Sequence, residues 1–213
     1  MAQNRSTAVM QRRVEPHDSL DDFPTPPWAT RAICEYLQSK GLNLSMMSVR
    51  EPCANRGFMV RPLFEYFGHV AASDIHDYGH GYRVQDYLFG PDHHFDHHDW
   101  TFINPPFRLA TQFIERALRL SRVGVAAIVR SAFLEGIDRY ETLFSQHPPW
   151  VVAIHTERVP MVKGRFDPAA STATSYAWLI WRNDIAERRQ IDWIAPCRKR
   201  LQRPNDAVLP EAS

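Results

Sequence analysis

The chain is short of cysteine, of lysine, of long apolar runs and of net charge, and each shortage excludes something. Its three cysteines, Cys34, Cys53 and Cys197, are odd in number and far apart. That spacing argues against a disulfide framework and against a cysteine zinc site. No apolar stretch approaches the roughly 20 residues of a bilayer-spanning helix, and the polar N-terminus lacks the apolar core of a secretory signal. A cytoplasmic location without membrane contact is the expectation. A formal net charge of +1 neither demands nor excludes a nucleic-acid partner. Only Lys40, Lys163 and Lys199 stand among 25 lysines and arginines. The planar fork of arginine suits phosphate recognition, although codon usage gives the same skew.

What is present suits a single domain: 213 residues, mean hydropathy −0.39 and no internal repeat. Residues 1–20 are polar and aperiodic and read as a flexible tail. Residues 21–185 carry the periodic segments. Residues 186–213 turn charged, with Arg198-Lys199-Arg200, and read as a second flexible tail.

Within the domain, strands and helices alternate. Thr25 is placed to cap a helix with Pro26 at its first position. Trp28, Ala32, Ile33, Tyr36 and Leu37 then recur at helical spacing up to Gly41. Met46–Arg50 reads as a strand, residues 58–67 as a helix and Val70–Ser73 as a strand ending at Asp74. Further strands are expected at 99–103, 123–129, 150–154 and 175–181, and further helices at 109–120 and 134–144. This alternation implies an open α/β sheet.

Ligands of such sheets bind at the C-terminal strand edge. The loop Glu51-Pro52-Cys53-Ala54-Asn55-Arg56-Gly57, then Asp74, Asp86 and Asn104 all fall at expected strand ends. Glu51 and Asp74 stand 23 residues apart, close to the roughly 20-residue offset of a ribose-binding acid. Residues 91–98, with His93, His94, His97 and His98, invite a metal reading, but an irregular loop would have to make them converge and no further group completes a site. No metal is assigned.

The most specific stretch is Asn104-Pro105-Pro106-Phe107. Both prolines lack an N–H and hold φ near −65°, and Pro106 keeps Pro105 out of the helical region. Asn104 offers an acceptor and Phe107 a flat ring. That combination suits a planar group bearing an exocyclic NH2. A loop that merely ends a strand has the same composition.

In this order, Phe23-Pro24-Thr25-Pro26-Pro27, the 51–57 loop, Asp74-Ile75, Asp86-Tyr87-Leu88 and Asn104-Pro105-Pro106-Phe107 resemble the class I S-adenosylmethionine-dependent methyltransferases of the amino-methylating type. Among them, the small phage and prophage DNA adenine-N6 enzymes are most similar. The resemblance covers about residues 21–182 and implies a Rossmann-like, seven-stranded, mostly parallel sheet with helices on both faces. It also implies S-adenosylmethionine as cofactor. Glu51, Pro52, Cys53, Ala54, Asn55 and Gly57 would wrap its methionine part, with Thr25 and Pro26 at the carboxylate end. Asp74 would take the ribose hydroxyls, Ile75 would pack on the adenine, and Asp86 would accept from the adenine amino group with Tyr87 beside it. Asn104 and the Pro105 carbonyl would hold the target NH2, with Pro106 fixing the turn and Phe107 stacking on a base flipped from double-stranded DNA.

Two features depart from that pattern. Asn55 stands where the family usually has glycine, and its side chain would sit near the cofactor. No stretch is long enough for a separate target-recognition domain, so recognition falls to loops 131–149 and 155–174, with Arg158, Lys163 and Arg165 as the cations near phosphate. An RNA base amine or a protein glutamine amide presents the same NH2, and a binding module without catalysis keeps the same fold. Target sequence and oligomeric state stay open.

Overall fold

The computed structural model describes residues 21–185 and 190–208. The N-terminal tail expected at 1–20 lies outside these residues. The apolar runs become strands of one sheet: β1 (Ser48–Glu51), β2 (His69–Asp74), β3 (Arg83–Val84), β4 (His98–Ile103), β5 (Ser121–Arg130), β6 (Val151–His155), β7 (Tyr176–Arg182) and β8 (Gln190–Ile194). Their order is β3-β2-β1-β4-β5-β7-β6-β8. β7 runs antiparallel to β5 and β6, and every other pair is parallel.

Strands β5 and β7 are apolar along nearly their whole interior because both sheet faces are covered there. Along β4, β5 and β7 the pleat sends Phe102, Ile128 and Trp178 to one core, and Ile103, Val125 and Leu179 to the other. Helix α1 (Pro27–Ser39) covers the first with Trp28, Ile33 and Leu37. Helix α3 (Ala110–Leu120) covers the second with Phe113, Ile114 and Ala117. The single turn α2 (Val60–Leu63) packs beside α1 on the first core through Leu63. Each fully buried Ile or Leu contributes about 1.5–3 kcal/mol.

Several expectations shift. The sheet has eight strands rather than seven. α1 begins at Pro27 with Pro26 as its N-cap and no side-chain cap, so Thr25 is not the capping residue. The helix expected over 58–67 shortens to α2, where Pro62 lacks the N–H that would continue the ladder. The 134–144 helix is broken into a 3₁₀ turn (Ser131–Leu134), the short α4 (Ile137–Arg139) and a π turn (Tyr140–Phe144).

The charged segment after 186 is not simply a tail. β8 pairs with β6, α5 (Arg198–Leu201) follows, and a 3₁₀ turn spans Pro204–Ala207. Side-chain contacts from the rest of the domain fasten it, among them those of Arg31 and Glu157. Buried Arg31 holds the Asp206 carboxylate with both terminal nitrogens, at 2.8 and 2.7 Å. Glu157 accepts from the Arg198 N–H at 2.8 Å. Breaking a buried pair of this kind by removing one partner costs about 3–5 kcal/mol.

Candidate active site

The C-terminal ends of β1, β2 and β4 open into one cleft. Glu51, Pro52, Cys53, Ala54 and Asn55 line it from β1, Asp74 and Ile75 from β2, and Asn104 and Pro106 from β4. Thr25 and Phe23 close it from the N-terminal segment, and Tyr87 and Phe113 line its remaining wall.

Glu51 is buried to 1% exposure. Its Oε1 accepts from the Cys53 N–H at 2.8 Å, while Oε2 has no hydrogen-bond partner. Burial, reinforced by the charge of Asp74, pushes its pKa up to about 8 against the opposing Cys53 hydrogen bond. Burial also raises the Asp74 carboxyl, although its two oxygens accept from the Asn55 and His76 N–H groups at 2.9 Å each. A carboxylate has about four acceptor sites, so Asp74 keeps capacity for hydroxyl donors. The buried Thr25 hydroxyl also lacks a partner. Two orphaned polar groups in one cleft mark where a polar ligand would bond.

Asn55 adopts φ 51°, a left-handed backbone conformation shared by no other described non-glycine residue. Its Nδ2 donates to Asp22 Oδ1 at 2.7 Å, and its Oδ1 accepts from the Arg56 N–H at 2.7 Å. The side chain is thus held by its neighbours at the cleft wall. Gly57 takes φ 85°, and a Cβ there would meet the Tyr82 hydroxyl at 2.0 Å. Its close approach therefore serves Tyr82.

Asn104 Nδ2 donates to the Phe23 carbonyl at 2.8 Å and lies 3.8 Å from the Met161 sulfur. The donor half of the amide is thereby committed, which leaves Oδ1 as the acceptor for an incoming NH2. The Phe107 N–H donates to Asp21 Oδ2 at 2.8 Å. Its ring packs on Phe23, with centroids 5.2 Å apart, and the Arg130 guanidinium carbon lies 3.8 Å from its centre. Phe107 therefore does not present the open flat face expected from sequence.

The structure brings most, not all, of the expected residues together. Asp86 is exposed, accepts from the Leu88 N–H at 2.8 Å and borders a different depression. Pro26 serves the start of α1. Pro105 and Phe107 line a second hollow on the other side of the turn, with Arg130, Phe133 and Arg139. Arg158, Lys163 and Arg165 are exposed on the 155–174 connection. That connection is tied down at the site: the Gly164 N–H donates to the Asp22 carbonyl at 2.8 Å, and Phe166 packs on the cleft residue Phe58 at 5.2 Å.

Sequence reasoning missed Asp21, Asp22, Met161 and Arg130. Nothing local singles them out, because each acts through a contact distant in sequence. Among the described residues no cluster of three or more His, Cys, Asp or Glu could hold a metal ion, and no helix is long and apolar enough to cross a membrane. His98 is buried at the start of β4 beside His69, and Asp92 pairs with Arg116 and Arg119.

No family model matches the chain, and no curated protein matches it. Solved structures do. A candidate class I S-adenosylmethionine-dependent methyltransferase of Listeria monocytogenes aligns with TM-score 0.60 and 11% identity over 81% of this chain and 66% of its own. A type I restriction-modification methyltransferase subunit of Streptococcus thermophilus aligns with TM-score 0.61 and 9% identity, over 80% of this chain and 48% of its own. A candidate RNA methyltransferase of Pyrococcus horikoshii aligns with TM-score 0.55 and 16% identity, over 79% and 90%. The chain thus spans just under two thirds of the first and about half of the second. At these identities the likeness establishes the fold: a Rossmann-like α/β sheet of the kind found in methyltransferases.

Proposed function

We propose that this protein transfers a methyl group from S-adenosylmethionine to an exocyclic amino nitrogen, with adenine N6 in double-stranded DNA as the acceptor. The observation that carries the reading is the placement of Asn104, its amide NH2 bonded to Phe23, in the same cleft as Glu51, Asp74 and the Thr25 hydroxyl.

The cleft residues fit that cofactor. Glu51 Oε2 and the Thr25 hydroxyl are unpartnered and suit the polar amino-acid end, and Asp74 has acceptor capacity for ribose hydroxyls. Ile75, Tyr78 and Tyr87 supply apolar surface for a purine. When bound, S-adenosylmethionine supplies an electrophilic methyl group on a sulfonium sulfur.

The residues of this chain then have a positioning task. Asn104 Oδ1 accepts one hydrogen of the target NH2 and the Pro105 carbonyl accepts the other, which aims the nitrogen lone pair into the cleft. Fixed acceptors favour the developing positive charge on that nitrogen without reorganising. Lys163 and Arg165, on the connection bonded to Asp22, face nucleic-acid phosphate in this reading, although Arg165 lies 3.6 Å from Asp167. The Streptococcus thermophilus restriction-modification subunit supports DNA as the acceptor.

Calorimetry with S-adenosylhomocysteine, followed by incubation with labelled S-adenosylmethionine and duplex DNA of varied sequence, tests both halves. Cofactor binding with label in DNA is expected. Label in RNA or in protein instead would move the acceptor to another amine.

A further inference from the structure

Beyond the turn lies a hollow that the cofactor reading does not use. Phe107 and Phe133 supply two aromatic rings, and Arg130 and Arg139 supply two guanidinium groups. No carboxylate lines it. The two arginines are in different states. Arg139 is spent on backbone, donating to the carbonyls of Phe133 (2.8 Å) and Glu135 while lying over the Phe133 ring. Arg130 is not: among the described residues it has no ion pair, and its buried Nε has no hydrogen-bond partner. Its principal contact is the face of Phe107, with the guanidinium carbon 3.8 Å from the ring centre.

We infer that Arg130 is the acceptor-reading residue of this site: it holds the face of Phe107 until a nucleotide enters, then gives up the ring to the base and pairs with the adjoining phosphodiester. The inference rests on the methyl-transfer reading for its chemistry and adds the residue that engages the strand beside the target base. A planar guanidinium on an aromatic ring occupies the volume that a stacked base would take. Stacking on the ring is weaker than a charge-assisted, two-pronged pair with phosphate, so the exchange is downhill. A half-buried cation without an ion-pair partner among the described residues is a poor neighbour for a neutral peptide amide and a good one for a phosphodiester. Arg130 closes β5, where its backbone pairs with Tyr176 of β7 at the end of the sheet.

The test compares binding of a short single-adenine oligonucleotide with that of the same strand carrying neutral methylphosphonate linkages on either side of the adenine. Fluorescence anisotropy without cofactor reads affinity for the wild-type protein, Arg130→Gln and Arg130→Lys. The wild type is expected to prefer the phosphodiester by about tenfold or more, the size of one lost charged hydrogen bond. Arg130→Gln is expected to bind the two strands within about twofold of each other, and Arg130→Lys, which keeps the charge, to retain part of the preference. A wild-type protein without the preference, or an Arg130→Gln variant that keeps the wild-type ratio, overturns the assignment. So does complete loss of the preference in Arg130→Lys, which would tie it to ring packing rather than to charge. S-adenosylhomocysteine binding, measured separately, decides the methyl-transfer reading and leaves the phosphodiester ratio to decide Arg130.

Discussion

The amide nitrogen of Asn104 donates to the carbonyl of Phe23 across 2.8 Å, joining residues 81 positions apart. A strand end and the segment entering α1 are thereby fixed to each other at the wall of the cleft. The bond also decides which half of the amide faces the incoming group, since the oxygen is the half left over.

Removing that amide separates chemistry from cofactor binding. Asn104→Ala is expected to lower methyl transfer by at least about 10²-fold, the usual loss when a preorganised polar contact is deleted. The affinity for S-adenosylhomocysteine should stay within about threefold, because Glu51, Thr25 and Asp74 are untouched. Calorimetry beside a transfer assay checks both, and parallel losses would contradict the role of Asn104.

Asn55 makes a different prediction. Its left-handed backbone costs other non-glycine residues about 1–2 kcal/mol, and its side chain ties the 51–57 loop to Asp22 at 2.7 Å. Asn55→Ala should therefore destabilise the protein more than Asn55→Gly, by about 1 kcal/mol in urea unfolding. Since the side chain is held by Asp22 and Arg56, Asn55→Gly is not expected to tighten S-adenosylhomocysteine binding. A clear gain in affinity would show that Asn55 obstructs the cleft.

The strand framework was legible because burial on both faces writes continuous apolar runs. Residues 123–129 fall inside β5, and 99–103 and 175–181 match β4 and β7 within one or two residues. β8 was missed although Gln190-Ile191-Asp192-Trp193 alternates. The stretch is short and set among charged residues, and its alternating apolar pair, Ile191 and Trp193, faces solvent at 61% and 62% exposure rather than a core. The same limit applies to the site. Glu51, Asp74 and Asn104 could be found because strand ends announce them, whereas Asp22, Met161 and Arg130 act through long-range contacts. Asp86 shows the reverse error, standing at the expected place in sequence but outside the cleft.

Glu51 sets a pH dependence. Its folded pKa of about 8 exceeds the ordinary 4.5, so between these values the folded state binds more protons than the unfolded one. Stability from this group therefore falls as pH rises through that window. Glu51→Gln removes the effect, and its advantage over the wild type should grow from pH 5 to pH 8.5, on the order of a few kcal/mol. Equal pH slopes in thermal melts of the two proteins would contradict the raised pKa.

His155 acts with the opposite sign. Its Nε2 accepts from the Trp178 indole N–H at 3.1 Å, and burial pushes its pKa down to about 4 from 6.5. The unfolded state binds more protons between these values, so stability is lost as pH falls through them, on the order of 3 kcal/mol. His155→Gln keeps an acceptor for Trp178 and should flatten the acid side of the stability curve. An unchanged acid limb would mean that other groups govern it.

The methyl acceptor itself is read most directly by incubating the protein with S-adenosylmethionine and duplex DNA, digesting to nucleosides and separating them by mass. N6-methyldeoxyadenosine formed by the wild-type protein and absent with Asn104→Ala is the expected result. Unmodified DNA nucleosides, from a protein that binds S-adenosylhomocysteine and methylates RNA or protein instead, would contradict it.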